Sequence, residues 1–305
     1  MQLSDSALRK YIKMLGVVVV GIGMAGRVRI RDLLNPLPNS ATEKLKPMGF
    51  VSRRTLGNIE QLKQITLDEA LQSDEIQAAI ISLENQFHEE YVRKFLDAGK
   101  HVCVEYPLAL SAAAAHELWD LADFKGKVLH VEHIELLTAE YKQLKQEVSG
   151  KELMEGTLHL TGGPLDRQRN GFPAFSGIAR LSWLVDLFGE LTFKSATLAE
   201  QQKQQYWKMT THFHTKNSRP LIWIEERGPG LKRTKCINFQ FKSDILDHIP
   251  EVPNDHVSLF MQDLNLFAQK LTGQKPTKPS EKKRILHCLD LANEIRVFCE
   301  QIPPN

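Results

Sequence analysis

The chain carries little net charge: 39 lysines and arginines against 37 aspartates and glutamates leave a formal +2 over 305 residues. No field of one sign is present to hold a nucleic acid or an anionic membrane surface, and neither is expected as a partner. Cysteine is scarce. Cys103, Cys236, Cys288 and Cys299 are widely separated and form no Cys-x-x-Cys pair. That argues against a disulfide scaffold and for reduced thiols in a cytoplasmic protein. Long hydrophobic runs are missing: the longest, Leu15 to Ile22, is interrupted by glycine and too short to span a bilayer. No cleavage pattern of a secreted protein is visible, and neither repeats nor low-complexity linkers occur. What remains, 42% apolar and 25% charged residues, is the balance of a globular chain long enough for two domains of ordinary size.

Gly16-Val17-Val18-Val19-Val20 is a β-branched run of the kind buried on both faces of a parallel sheet. It leads directly into Gly21-Ile22-Gly23-Met24-Ala25-Gly26, a G-x-G-x-x-G, and the pattern predicts a helix over Val28 to Leu34. Glycine permits the tight turn and lets backbone N–H groups approach a pyrophosphate, where the helix N-terminus adds positive dipole. Alone the motif is weak. Between a valine-rich strand and a helix it marks a dinucleotide site, with Gly21, Gly23, Met24, Ala25 and Gly26 at the phosphates. The second strand, Met48 to Ser52, ends in Ser52-Arg53-Arg54, where an NAD-selective site places Asp or Glu. No carboxylate repels a 2′-phosphate there and two guanidiniums can pair with it. NADPH is therefore the expected cofactor, with NADH weaker.

The βα rhythm continues with a helix capped by Thr66, a strand over Ala78 to Leu83, a loop Glu84 to His88 and a helix Glu89 to Ala98. Ser111 caps an alanine-rich helix to Phe124, and Val128 to His133 is the strand that leads out. Residues 1–134 thus read as an N-terminal Rossmann dinucleotide-binding domain. After an amphipathic helix, Glu135 to Val148, the strands collect: Glu155–Thr161, Phe193–Ala199, Tyr206–Thr215, Leu221–Glu226 and Cys236–Phe241. Residues 135–305 therefore read as a C-terminal α+β domain with a large, mostly antiparallel sheet, in a chain of the α/β class. In Tyr206–Thr215, Trp207, Met209 and Phe213 share one face and Lys208, His212 and His214 the other; the histidines read as solvated rather than ligating. Ser280 to Gln301 reads as one helix, along which Cys288 and Cys299 lie roughly 16 Å apart. They cannot share a zinc and read as core thiols, and no metal is expected.

The run Ala98-Gly99-Lys100-His101-Val102-Cys103-Val104-Glu105-Tyr106-Pro107 is a helix end, a short apolar strand and a stop at proline. A carboxylate and a phenol sit at the strand's carboxyl end, where ligands meet reactive groups in an open parallel sheet. This run resembles a signature of the glucose-fructose oxidoreductase and inositol dehydrogenase family, in which the strand ends Glu-Lys-Pro and the lysine handles the substrate's proton. Tyr106 stands here at the lysine position. The resemblance implies that Ser82, Leu83, Glu84 and Glu105 flank the nicotinamide end of the cofactor. It places His88 where the family has a histidine, either at the cofactor or bonding local backbone. Sugar-oxidising members carry Asp-x-Gly-x-His-x-x-Asp on a later helix. Counting back from Asp186, Trp183 holds the histidine position and Ala179 that of the first aspartate, so oxidation of a sugar or inositol is not implied.

Arg180 is a cation on the otherwise apolar helix Ser176 to Phe188, and a buried arginine requires an anionic group or a substrate. Arg167 and Arg169 are near it in sequence. Arg227-Gly228-Pro229-Gly230-Leu231-Lys232-Arg233-Thr234-Lys235 is a glycine-proline loop with four cations, suited to carboxylates. Gly171 to Leu181, Glu105-Tyr106-Pro107, Ser52-Arg53-Arg54, and Gly228 to Arg233 with Asn238-Phe239-Gln240-Phe241 together resemble the biliverdin-reducing branch of the family, over about Gly16 to Cys299. That resemblance implies NADPH-dependent reduction of biliverdin IXα to bilirubin by a monomer, with hydride going to C10 and a proton to a pyrrole nitrogen. It implies catalytic roles for Arg180, Tyr106 and Glu105. Around the tetrapyrrole it implies Tyr106, Arg167, Arg169, Phe175, Arg180, Arg227, Lys232, Arg233 and Lys235. The missing lysine and histidine keep two alternatives open: an NADPH-binding regulator without chemistry, and an oxidoreductase of this fold with another substrate.

Overall fold

The valine run pairs on both sides, as a strand buried on both faces must. In the computed structural model, which describes residues 14–253 and 255–301, β1 (Leu15–Val20) lies between β2 (Leu45–Val51) and β3 (Ala78–Ile81). β4 (His101–Val104) and β5 (Leu129–Val131) complete a five-stranded parallel sheet in the order β2-β1-β3-β4-β5. The strand order reverses at β1, so the crevice at the carboxyl ends of β1 and β3 is the ligand-binding position of such a sheet. The crossovers carry α1 (Met24–Leu34), α2 (Leu67–Gln72), α3 (His88–Asp97) and α4 (Ala112–Phe124). Thr66 closes a full capping box with Glu69, and Ser111 accepts from the Ala114 N–H. Helix α1 begins at Met24, inside the glycine motif and ahead of the predicted Val28, with Gly23 as N-cap. The free N–H groups of its first turn are thereby delivered to the crevice.

The helix predicted from Glu135 is broken. A 3-10 turn, Ile134–Leu136, precedes α5 (Ala139–Val148), which Thr138 caps. The break turns Glu135 inward, where it is buried. β6 (Leu153–Gly162) then leads through α6 (Arg167–Asn170), α7 (Pro173–Ser176) and α8 (Ile178–Phe188) to β7 (Leu191–Gln201), β8 (Tyr206–Thr215), β9 (Pro220–Arg227), β10 (Thr234–Phe241) and β11 (Ile245–Leu246). The sheet order is β11-β10-β6-β9-β8-β7, antiparallel except for the β6–β9 pair. Trp207, Met209, Thr211 and Phe213 point into the core, as the period of two requires.

Two helices close the chain. α9 (Leu259–Leu271), which the sequence reading passed over, packs on α1, and its Met261, Leu264, Phe267 and Ala268 join the core around Val17, Val19, Ile30 and Phe50. α10 (Pro279–Gln301) packs on β7, α8, α7 and α4. Cys288 is buried in that core, and burial pushes its thiol up to about 12. A cut after residue 134 therefore divides the sheets in sequence but not the layers in space. Under the first sheet, fully buried Arg29 donates to Asp263 Oδ2 at 2.6 Å and to the Phe260 carbonyl at 3.0 Å. His130 accepts from Lys270 through Nδ1 at 2.8 Å, so its Nε2 carries the hydrogen given to Asp263 at 2.9 Å. Cys103, His130 and Asp263 have the spacing of metal ligands, but Arg29 and Lys270 already bring the positive charge there. Among the described residues no helix is long and apolar enough to cross a membrane.

Candidate active site

A groove of about 790 Å3 opens at the carboxyl ends of β1 and β3. It is lined by the Gly21–Ala25 turn, by Ser52, Arg53 and Arg54 after β2, by Ser82, Leu83 and Glu84 after β3, and by Glu105 after β4. The motif's three glycines differ in what demands them. Gly21 has φ +92°, and a Cβ there would lie 2.3 Å from the Ser82 carbonyl oxygen. A Cβ on Gly26 would lie 1.9 Å from the Gly21 carbonyl oxygen. A Cβ on Gly23 would meet nothing within 4 Å. The fold itself requires the first and third; at the second it makes no demand, and the open space there suits close approach of a pyrophosphate. Ser82 Oγ and Glu105 Oε1 are buried there without a hydrogen-bond partner among the described residues. Burial pushes the Glu105 carboxyl above its ordinary value, although the neighbouring Ser82 hydroxyl and the Arg29 charge favour its ionised form. A turn rich in free N–H groups, an open glycine, an orphaned hydroxyl and an orphaned carboxyl suit a dinucleotide with a polar head.

The two arginines after β2 are not equivalent. Arg54 donates from its guanidinium to the Ile22 carbonyl at 2.9 Å, tying the end of β2 to the phosphate turn. The Arg53 guanidinium carbon sits over the Phe87 ring, 4.4 Å from its centroid, and the side chain has no carboxylate partner among the described residues. His88 does not line the groove. It is fully buried, with Nδ1 2.7 Å from the Pro107 carbonyl oxygen and Nε2 2.9 Å from that of Leu83, so it bonds local backbone and ties two site loops together. Arg169, expected beside the substrate, reaches from α6 into this groove, 3.8 Å from Glu84.

Directly after Glu105, the half-buried Tyr106, joined to Pro107 by a cis peptide, stacks its ring parallel to His133 at 6.0 Å. Around it lies an ion cluster drawn from four elements. Arg180 is 5% exposed. Its Nε is 3.4 Å from Glu225 Oε2, outside hydrogen-bond geometry, and its Nη1 is 3.9 Å from Glu135. Arg227 grips Glu225 Oε1 through two N–H groups at 3.0 and 2.6 Å. Lys235 reaches Glu135 at 2.7 Å while resting 3.9 Å over the Trp183 ring, and Arg233 reaches the same carboxylate at 3.3 Å. Four cations thus face two carboxylates, and positive charge is in excess. Burial opposes the Arg180 charge, but Glu225 and Glu135 more than offset it and hold the guanidinium protonated. Burial likewise opposes ionisation of Glu135, yet Lys235 and Arg180 keep its carboxyl below the ordinary range. Burial first, then Glu135 and Glu132, push the Tyr106 phenol above its usual value.

Several expected ligand residues are elsewhere. Phe175 is wholly buried in the core, so it cannot line a substrate surface. Arg167 pairs with Glu200 on the outside. Arg227 lies in the cluster but is consumed by Glu225, and Lys232 is exposed in the loop before β10. Glu135 and Glu225, the two anchors of the cluster, were missed. For Glu225 a signal exists: Leu221, Trp223, Glu225 and Arg227 share the inward face of β9, which places two charges in line with core residues.

A family model described as "Biliverdin reductase, catalytic" matches residues 141–253, and one described as "Oxidoreductase family, NAD-binding Rossmann fold" matches residues 15–133. Human biliverdin reductase A is 57% identical over 286 residues, covering 93% of this chain and 96% of that protein. The mouse protein is 53% identical over 288 residues, covering 94% and 96%. The structure of Synechocystis biliverdin reductase in complex with biliverdin and NADP+ superimposes with a TM-score of 0.75 at 23% identity, covering 94% of this chain and 99% of that one. UDP-N-acetylglucosamine 3-dehydrogenase from Acidithiobacillus ferrooxidans matches the fold equally well, with a TM-score of 0.75 at 15% identity, covering 94% and 98%.

Proposed function

The chain belongs to the biliverdin reductase family, and from that premise we propose that it reduces biliverdin IXα to bilirubin with NADPH, and more weakly with NADH. The observation that carries the reading is the excess of positive charge beside Tyr106, next to a dinucleotide groove. A flat, apolar tetrapyrrole with two propionates has the complementary shape and charge. The bound cofactor supplies a hydride, which arrives at the C10 methene carbon, while a proton goes to a pyrrole nitrogen; two electrons and two hydrogens give bilirubin.

The protein's own part is positional and electrostatic. The Gly21–Gly26 turn and the N-terminus of α1 receive the pyrophosphate, Arg53 pairs with the 2′-phosphate, and Arg54 keeps the turn in place. Ser82 Oγ and Glu105 Oε1 meet the polar groups of the nicotinamide end. Arg180 remains cationic throughout, so it stabilises negative charge and does not donate the proton. The raised phenol of Tyr106 is a poor acid at neutral pH, and its ring packs beside the bilin. Glu105 lines the cofactor groove next to Tyr106 and burial raises its carboxyl above the ordinary value, so it is the site's candidate proton source. Residues before 135 hold the cofactor and those after it wall the bilin, with Arg169 reaching back to the groove and Tyr106 and Glu105 reaching forward to the bilin, and the protein works as a cytoplasmic monomer.

The test mixes the protein with NADPH and biliverdin and follows loss of the bilin's red absorption against gain of the yellow product. Turnover supports the reading. Binding of both molecules without a spectral change would leave a cofactor-binding regulator in its place.

A further inference from the structure

Under the first sheet lies a buried ion cluster outside both the cofactor groove and the charged cluster around Arg180. Cys103 on β4 and His130 on β5 face it, and Cys103 Sγ, the His130 ring and the Asp263 carboxylate all lie within 4.8 Å of one another. The strand period of two puts Glu105 on the face of Cys103 and Glu132 on the face of His130. Pairing runs on past the strand ends: the Glu105 N–H donates to the Ile81 carbonyl at 3.3 Å and the Glu132 N–H to that of Val104 at 2.8 Å. Arg29 of α1 bridges the layer, with Nη2 2.6 Å from Asp263 Oδ2 and 3.9 Å from Glu132 Oε1. The Glu132 carboxyl in turn receives the Tyr106 backbone N–H, so the cluster reaches the peptide that joins Glu105 to Tyr106.

In so dry a place a charge acts further than it does in water. Burial opposes ionisation of Asp263, yet Arg29 and then His130 hold its carboxyl well below the ordinary range. Burial first, then Asp263, push the Glu132 carboxyl well above that range. Arg29 and Asp263 are therefore the balanced charges of the layer. On Glu105 they act with opposite sign: Arg29 favours its ionised form and, less strongly, Asp263 its protonated form. Ser82 after β3, Cys103 on β4 and Glu132 after β5 also face that carboxyl. On its other side Glu84, Arg53, Arg54 and Arg169 line the cofactor groove. On the reading of Glu105 as the proton source, on which this rests, we propose that Arg29 and Asp263 are positioning residues for proton delivery, an ion pair held behind Glu105 by α1 and α9 that fixes how readily it gives up its proton. While the pair is intact its two charges largely cancel at the carboxyl. Breaking it leaves one of them bare, and an arginine cannot neutralise itself by losing its proton.

The test follows the Glu105 carboxyl by infrared difference titration of the NADP+-bound protein, each form against the same form carrying Glu105→Gln, beside the pH profile of kcat. Asp263→Asn, combined with Glu132→Gln so that no neighbouring carboxylate takes its place, should lower the midpoint by about half a pH unit or more. Arg29→Gln should raise it. The falling limb of kcat should move with the midpoint in each case. Arg29→Met with Asp263→Asn removes both charges and should bring the midpoint back near that of the parent. Breaking a buried pair is costly, so unchanged affinity for NADP+ verifies each fold, and the sign of either shift decides by itself where the other variant does not fold. A loss of packing alone would lower kcat without moving the two midpoints in opposite directions. Shifts of one sign, or none, would overturn the proposal. A parent that does not turn over biliverdin would sink the reduction reading alone, because the infrared titration needs no turnover.

Discussion

Gly23 shows how a single residue separates a demand of the fold from a demand of the ligand. Because a Cβ there meets no protein atom, Gly23→Val should melt within about 1 kcal/mol of the parent and yet lose NADPH binding, read by quenching of cofactor fluorescence. Gly26→Ala should behave in the opposite order. Its Cβ would strike the Gly21 carbonyl, so thermal stability should fall first, by about 1–3 kcal/mol or more. The arginines after β2 divide in the same way. Arg53→Ala should weaken NADPH by about 1.5–3 kcal/mol, the worth of a charged hydrogen bond, and leave NADH nearly untouched. Arg54→Ala should weaken both cofactors, because it frees the Ile22 carbonyl and loosens the shared phosphate turn. Equal losses for both cofactors in Arg53→Ala would remove the 2′-phosphate assignment. Glu105 gives the pH dependence. Its protonated form is the one required, and its pKa lies above the ordinary value, so kcat should fall as pH rises through that raised pKa. In Glu105→Gln the limb should vanish along with most of the rate. A limb that persists would assign the proton to solvent.

At the level of elements, strand β9 and the broken start of α5 create the charged cluster. β9 places Glu225 and Arg227 on its buried face, and the turn at Ile134–Leu136 delivers Glu135 to the same place. Arg180 on α8 is gripped between them. Arg180→Ala takes one cation from two carboxylates that keep Arg227, Lys235 and Arg233, and should cost about 0.5–3 kcal/mol in denaturant unfolding. If Arg180 also stabilises charge in the transition state, Arg180→Lys should restore most of the stability and only part of kcat, since lysine keeps the charge but not the planar fork. Full recovery of both would make the residue structural alone. Arg180 itself was legible as a cation on an apolar helix. Its partner Glu135 was not, because it arrives only through the break in the helix, and Glu225 was signalled only by standing in line with the core residues of β9.

For the whole molecule, the return of the tail is the feature with the largest consequence. α9 covers the face of the first sheet that α1 leaves open, and Phe267 is fully buried there. Phe267→Ala should destabilise the chain by about 3–5 kcal/mol in urea. A fragment ending at residue 258 should fail to bind NADPH even though every residue lining the groove is present. What the sequence determined by itself is what depends on near neighbours. The valine strand running into the glycine turn, the Thr66 and Ser111 caps, and the lack of a carboxylate after β2 were all readable, because turn geometry, capping and the choice of residue at a strand end act within a few residues. What only the tertiary structure decided is which charges are spent. Arg227 is taken by Glu225, Arg54 by Ile22, His88 by two carbonyls, and Phe175 by the core. A charged or aromatic side chain has the same letter whether a partner reaches it or not, and the partner is chosen by packing between segments far apart in the chain.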